Sequence, residues 1–162
     1  MKRKRRILIV EDEPIVAMDL SIQLQQLGYD ICGTEDNSQA AIAAARKYHP
    51  DLVLMDVVIK GDVDGIETAK HISRGLHIPV IFLTAFSDSW TIERATQVAP
   101  HGYLTKPFQP KELRAGIEVA LYKARLERSL RESELWFAST LRCVGDGVIA
   151  TDVDGSVRFM NQ

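Results

Sequence analysis

Five polar side chains in this sequence each follow closely on a short apolar run. Glu11 and Asp12 follow Ile7-Leu8-Ile9-Val10, Asp56 follows Leu52-Val53-Leu54-Met55, and Thr84 follows Val80-Ile81-Phe82-Leu83. Lys106 stands just beyond Gly102-Tyr103-Leu104 and precedes Pro107. Apolar runs of this length read as buried strands, and an open α/β sheet gathers its chemistry at the carboxyl ends of its strands. Brought together, three carboxylates would repel one another and raise their pKa values unless a cation compensates. An all-oxygen donor set favours Mg²⁺ over a metal that seeks thiolate or imidazole. Lys106 adds a mobile positive charge and Thr84 a hydroxyl donor. Such a set is suited to stabilising a transferring phosphoryl group. Asp56, alone at the end of its strand, is the expected nucleophile, becoming an aspartyl phosphate. Any one of these residues would be ordinary at an exposed strand end. Five at four strand ends form a pattern.

The elements that must position them are legible in the periodicity. Val16, Leu20, Leu24 and Leu27 recur at helical spacing, with Pro14 near the start and Gly28 just past the end. A weaker strand is expected around Asp30 to Thr34. Asn37 and Ser38 can cap an Ala-rich helix whose Ala41, Ala44, Ala45 and Tyr48 share a face. Asp64, with Glu67 three positions on, suggests a capping box for the next helix. Another helix is expected over about 87–98, and Pro110 opens a long one. Strands and helices alternating in this way imply a parallel sheet covered on both faces. The expected fold is therefore α/β, a flavodoxin-like doubly wound five-stranded parallel sheet of order 2-1-3-4-5. That order makes the first, third, fourth and fifth strands neighbours, so the five side chains can surround one cleft.

Composition narrows the class further. Of 162 residues, 46% are hydrophobic, enough for a real core and too many for intrinsic disorder. No apolar run approaches the ~18 residues of a membrane span, and no signal-peptide stretch follows the basic start. Cys32 and Cys143 match no disulfide framework or metal spacing, and the four histidines lack ligand spacing. These features point to a cytoplasmic protein with no membrane contact. The net charge of −2 hides an asymmetry: without Lys2 to Arg6 the balance is 15 basic against 22 acidic residues. A basic tail thus precedes an acidic body, which is not expected to bind nucleic acid.

From Arg6 to about Arg125 the sequence resembles the receiver domain of two-component response regulators. Ile7-Leu8-Ile9-Val10-Glu11-Asp12-Glu13 resembles that family's first strand and acidic pair, and Met55-Asp56 its phosphoacceptor. Leu83-Thr84-Ala85 resembles its switch threonine, and Tyr103-Leu104-Thr105-Lys106-Pro107-Phe108 its aromatic–lysine–proline segment. The resemblance implies that Glu11, Asp12 and Asp56 bind Mg²⁺ together with the backbone carbonyl of Val58. It implies that Lys106 contacts the phosphoryl group and that Lys106–Pro107 is cis. It implies a sensor histidine kinase or phosphotransfer protein as partner. Coupled motion of Thr84 and Tyr103 would carry the signal to the face formed by the fourth helix, fifth strand and fifth helix.

The sequence departs from the family pattern in two places. Lys60 stands where a proline is usual, and Asp64-Gly65 arrive one residue late, so the loop Val57 to Val63 is one residue longer and includes Gly61. Val58 and Phe86, two residues beyond Asp56 and Thr84, carry no group to orient an attacking water. Slow loss of the phosphoryl group is the expected consequence.

Beyond the receiver, Leu113, Ile117, Ala120 and Ala124 should pack on the sheet, while Val119, Leu126, Leu130 and Phe137 form a second stripe. That stripe reads as a helical connector over 126–138, either solitary or paired with its twin as a short coiled coil. Homodimerisation would use this connector and the same signalling face. Residues Glu134 to Gln162 resemble the opening of a PAS domain, with a short helix and a hairpin around Val153-Asp154-Gly155. The expected organisation is a basic tail over 1–6, a receiver over 6–125, the connector, and a truncated PAS beginning over 139–162. A lone hairpin is marginal in water, so this one is expected to be disordered, docked or paired.

Two other enzyme-like readings fare worse. A haloacid-dehalogenase-like phosphatase would want its nucleophile on the first strand with a second Asp two residues later, which Glu11-Asp12-Glu13-Pro14 does not provide. A flavodoxin would need a Ser/Thr/Gly-rich phosphate loop in the same place. A degenerate receiver serving only as a dimerisation module is disfavoured by Asp12, Asp56, Thr84 and Lys106 all being present.

Overall fold

Ile7-Leu8-Ile9-Val10 offers no side chain to a wet surface, and it forms strand β1 (Arg6–Val10) with all four apolar residues fully buried. Strands β2 (Asp30–Glu35), β3 (Leu52–Asp56), β4 (Val80–Ala85) and β5 (Gly102–Lys106) join it in one sheet. The order is β2-β1-β3-β4-β5 and every pairing is parallel, as the alternation predicts. The computed structural model describes residues 3–85, 98–143 and 149–160. Phe86, Trp90 and nearly all of the helix expected over 87–98 lie outside the described residues.

Alternating strand side chains feed two cores, one on each face of the sheet. Leu8, Val10, Val53, Met55 and Phe82 pack with Ala41, Ala44 and Ala45 of helix α2 (Ser38–Tyr48) and Ile66, Ala69 and Ile72 of helix α3 (Gly65–Leu76). Ile7, Ile9, Leu54, Ile81 and Leu83 pack with Leu20 and Leu24 of helix α1 (Pro14–Gln26) and with Leu113, Ile117 and Ala120 of helix α4 (Pro110–Cys143). The expected caps are in place. Asn37 accepts a hydrogen bond from the Ala40 N–H at 3.0 Å, and Asp64 from that of Glu67 at 2.9 Å. Pro14 occupies the first turn of α1, and Gly28 turns the chain beyond its end at φ +91°.

Helix α4 differs from the expectation of a connector followed by a separate short helix. It runs unbroken through Trp136 to Cys143. No glycine or proline follows Gly116 within it, and Ala, Leu, Glu and Arg, all strong helix formers, fill most positions. The chain divides into two compact units, Met1–Ala124 and Arg125–Gln162. The second holds the end of α4 and an antiparallel hairpin of β6 (Ile149–Thr151) and β7 (Val157–Met160). Asp152 organises its turn, accepting from the N–H groups of Asp154 at 3.0 Å and Ser156 at 2.9 Å and from Arg158 Nε at 3.1 Å. Among the described residues, no helix is long and apolar enough to cross a membrane.

Candidate functional site

The strand order sets the ends of β1, β3 and β5 around one point. There the Lys106 ammonium donates to Glu11 Oε2 at 2.5 Å and to Asp56 Oδ2 at 2.5 Å. Asp12 completes the group: Glu11, Asp12 and Asp56 each offer an oxygen, and these lie within 4.8 Å of one another. Glu11 is 2% exposed and Asp56 9%. Each is also held by backbone: Asp56 Oδ1 accepts from the Val58 N–H at 3.0 Å, and Glu11 Oε1 from that of Glu13 at 3.3 Å.

Electrostatics follow from that burial. Loss of hydration raises the Glu11 carboxyl above its ordinary value, helped by the charge on Asp56 and opposed by the Lys106 hydrogen bond. For Lys106, burial alone would lower the ammonium, but the hydrogen bonds and charges of Asp56 and Glu11 outweigh it and the net direction is up. Lys106 therefore stays charged while compensating only part of a triple carboxylate cluster. The donors are all oxygen, closely spaced and partly desolvated, which suits a hard divalent cation. Receiver domains bind Mg²⁺ at such an acidic triad, and the residues present here fit one.

The remaining expected residues occupy the same sheet edge. Thr84 is the penultimate residue of β4, one beyond Leu83, the in-register partner of Asp56, and Ala85 pairs with Lys106. Thr84 is partly buried and Ala85 exposed. Tyr103 faces Phe82 across β4–β5, with ring centroids 5.9 Å apart and planes tilted by 32°. Strand alternation puts Tyr103 on the same face as Thr84. The Lys106–Pro107 peptide is cis. Val58 is 71% exposed, between Val57 and Ile59, which are both buried.

The end of β2 is what the strand-end reading passed over. Glu35 and Asp36 sit beside the cluster, and with Glu11, Asp12, Met18 and Lys60 they line a groove of about 480 Å³. The same rule that found Glu11-Asp12 would have found Glu35-Asp36, since both pairs end a strand. In the sequence Gly65 stands out only as half of an Asp-Gly pair. Its N–H donates to the Val57 carbonyl at 3.0 Å, closing the loop after Asp56.

Comparisons with known proteins agree with this geometry. The sequence model of the response regulator receiver domain matches residues 7–118. The chain belongs to that family, the phosphoacceptor domain of two-component signalling. It is 40% identical over 121 residues to the transcriptional regulatory protein PdtaR of Mycobacterium tuberculosis, covering 75% of this chain and 58% of that protein. The chain thus spans little more than half of that relative. It superposes on the receiver domain of a modulated diguanylate cyclase from Desulfovibrio desulfuricans G20 with TM-score 0.74 and 42% identity, covering 77% of this chain and 99% of that one. A second similar structure is the N-terminal domain of a response regulator/sensory box/GGDEF 3-domain protein from Carboxydothermus hydrogenoformans. Its TM-score is 0.68 at 32% identity, with 75% of this chain and 99% of that one covered. None of these matches supports the PAS resemblance of residues 134–162.

Proposed function

We propose that this chain is a cytoplasmic phosphorylation switch that takes a phosphoryl group from a histidine kinase or phosphotransfer protein onto Asp56. The observation that carries this reading is the shared hold of Lys106 on Glu11 and Asp56, with Asp12 in the same cluster. In the reaction a carboxylate oxygen of Asp56 attacks phosphorus in line, an O–P bond forms, and the N–P bond to the donor imidazole breaks. Glu11, Asp12, Asp56 and the Val58 carbonyl would hold Mg²⁺, which supplies charge neutralisation at the phosphoryl oxygens. Lys106 is already directed at Asp56 and can follow the transferred group. Thr84 offers its hydroxyl from the adjacent strand end. Val58 brings no polar side chain to orient water, which favours a long-lived aspartyl phosphate.

The organisation that goes with this role is a receiver over 6–125, the connector within α4, and a C-terminal output that begins as a PAS domain. The β6–β7 hairpin with its Asp152 turn supports that reading. Output would leave through β5 and α4, where exposed Val119, Leu126, Leu130 and Phe137 offer a surface for a second copy. Treatment with acetyl phosphate and Mg²⁺, followed by intact mass, tests the central claim. One phosphoryl group is expected on the wild type and none on Asp56→Asn. Equal labelling of both proteins would overturn it.

A further inference from the structure

The loop that follows Asp56 is one residue longer than the family pattern, and the structure shows what holds it. Val57 and Ile59 are anchored in the core at 7% exposure each, while Gly61 turns the chain at φ +103°, a conformation that favours glycine. Between anchor and turn stands Lys60. Its N–H donates to the Asp36 carbonyl at 3.1 Å, and its ammonium donates to Asp36 Oδ2 at 3.2 Å. A parallel bridge pairs it with Asn37. The other Asp36 oxygen accepts from Asn37 Nδ2 at 2.8 Å, and Asn37 is itself the cap of α2. The loop is therefore tied to the start of α2 through backbone and side chain of a single residue. That residue lies two positions from Val58 and four from Asp56.

We propose that Lys60 is a positioning residue for the cation site: clasped to Asp36, it fixes the lengthened loop in the shape that binds the metal. This rests on the cation-site reading above. A competing role is purely electrostatic. Among the described residues lining the groove, which include Glu11, Asp12, Glu35 and Asp36, Lys60 is the one cation, and a free positive charge there would repel a metal. The two roles have opposite signs. As a bare charge, Lys60 would weaken metal binding, and its loss would tighten it. As a clasp its charge is matched by Asp36, and its loss loosens the loop and weakens binding. The geometry favours the clasp, because the ammonium is committed to Asp36 and the backbone of the same residue is bridged to Asp36-Asn37. Since both side chains are about half exposed, the ion pair is screened and its effect modest, on the order of threefold.

Binding of Mn²⁺, a hard cation of similar preference, followed by the paramagnetic resonance signal of the free ion, separates these cases on the full chain. Wild type should bind, and Asp12→Asn should lose binding at least tenfold. If that control fails, the cation-site reading falls and the clasp with it. If it holds, Lys60→Met and Asp36→Asn should each weaken binding about threefold, the double variant no further, and Lys60→Arg should stay near wild type. Amide exchange over 57–63 should accelerate in Lys60→Met and not in Lys60→Arg. Tighter or unchanged binding in Lys60→Met, or additive losses in the double variant, would overturn the clasp.

Discussion

A Cβ placed on Gly65 would stand 1.8 Å from the backbone carbonyl oxygen of Asp56. The start of α3 is thus pressed against the backbone of Asp56, the proposed phosphoacceptor, and only a residue without a side chain fits. Gly65→Ala must push α3 or the end of β3 aside, and overpacking of this kind costs about 1–3 kcal/mol. Because the displaced residue is the proposed nucleophile, labelling by acetyl phosphate should fall by at least about tenfold. Gly75 provides the contrast. A Cβ there meets nothing within 4 Å, so Gly75→Ala should stabilise the helix by about 0.5–1 kcal/mol and leave labelling unchanged. Urea denaturation and intact mass of both variants check the pair. Parallel behaviour of the two would refute the close-approach argument.

Lys106 is the internal cation of the acidic cluster, so its loss should show most clearly when no divalent ion is present. Lys106→Met leaves Glu11 and Asp56 mutually repelling in a desolvated site, an imbalance worth about 2–4 kcal/mol. Saturating Mg²⁺ should restore more stability to the variant than it adds to wild type, as urea denaturation with and without Mg²⁺ would show. Equal increments would mean that Lys106 and the metal do not share these carboxylates. The pH dependence has a definite sign. The folded-state pKa of Lys106 is raised, so its ion pairs contribute fully below the ordinary lysine value of 10.5 and fade as pH rises through the folded value. The Glu11 pKa is raised as well, so its buried charge opposes folding at neutral pH. The defect of Lys106→Met should therefore shrink as pH falls through the Glu11 value.

The parts of this molecule that could be read from sequence are those in which local pattern and final environment coincide. β1, β3 and β4 are buried on both faces, so their apolar runs are continuous and their polar ends conspicuous. Asn37 and Asp64 cap the helices that follow, a relationship spanning three residues. What was not legible depends on contacts between distant segments. Tyr29 is 7% exposed and bonds Glu118 at 2.8 Å, 89 positions away, tying the end of α1 to α4. Neither residue carries a local signal of that bond. Lys60 was visible only as a departure from a pattern. Its partner Asp36 lies on the far side of β1, just past the end of β2. The continuity of α4 is a different case. The second stripe ends at Phe137, but exposed helix needs no stripe to persist, only residues that favour it.

In the proposed relay, Tyr103 is the residue that ties the site to a surface. It is 39% exposed, packs against Phe82 across the strand pair, and shares a sheet face with Thr84 two residues along β4. Phosphorylation of Asp56 would add charge of roughly −1.5 to −2 and three acceptor oxygens beside the Thr84 hydroxyl. In the proposed relay, movement of Thr84 toward those oxygens would open space on the face that Tyr103 already half covers, and the ring would turn into it. Tyr103→Ala removes the ring and leaves Glu11, Asp12, Asp56 and Lys106 unchanged. Labelling of Asp56 should stay within about twofold of wild type. The phosphorylation-dependent change in amide exchange over 102–118 should be largely lost. Loss of labelling as well would make Tyr103 part of the phosphorylation chemistry, and an unaltered exchange response would place the relay elsewhere on the sheet.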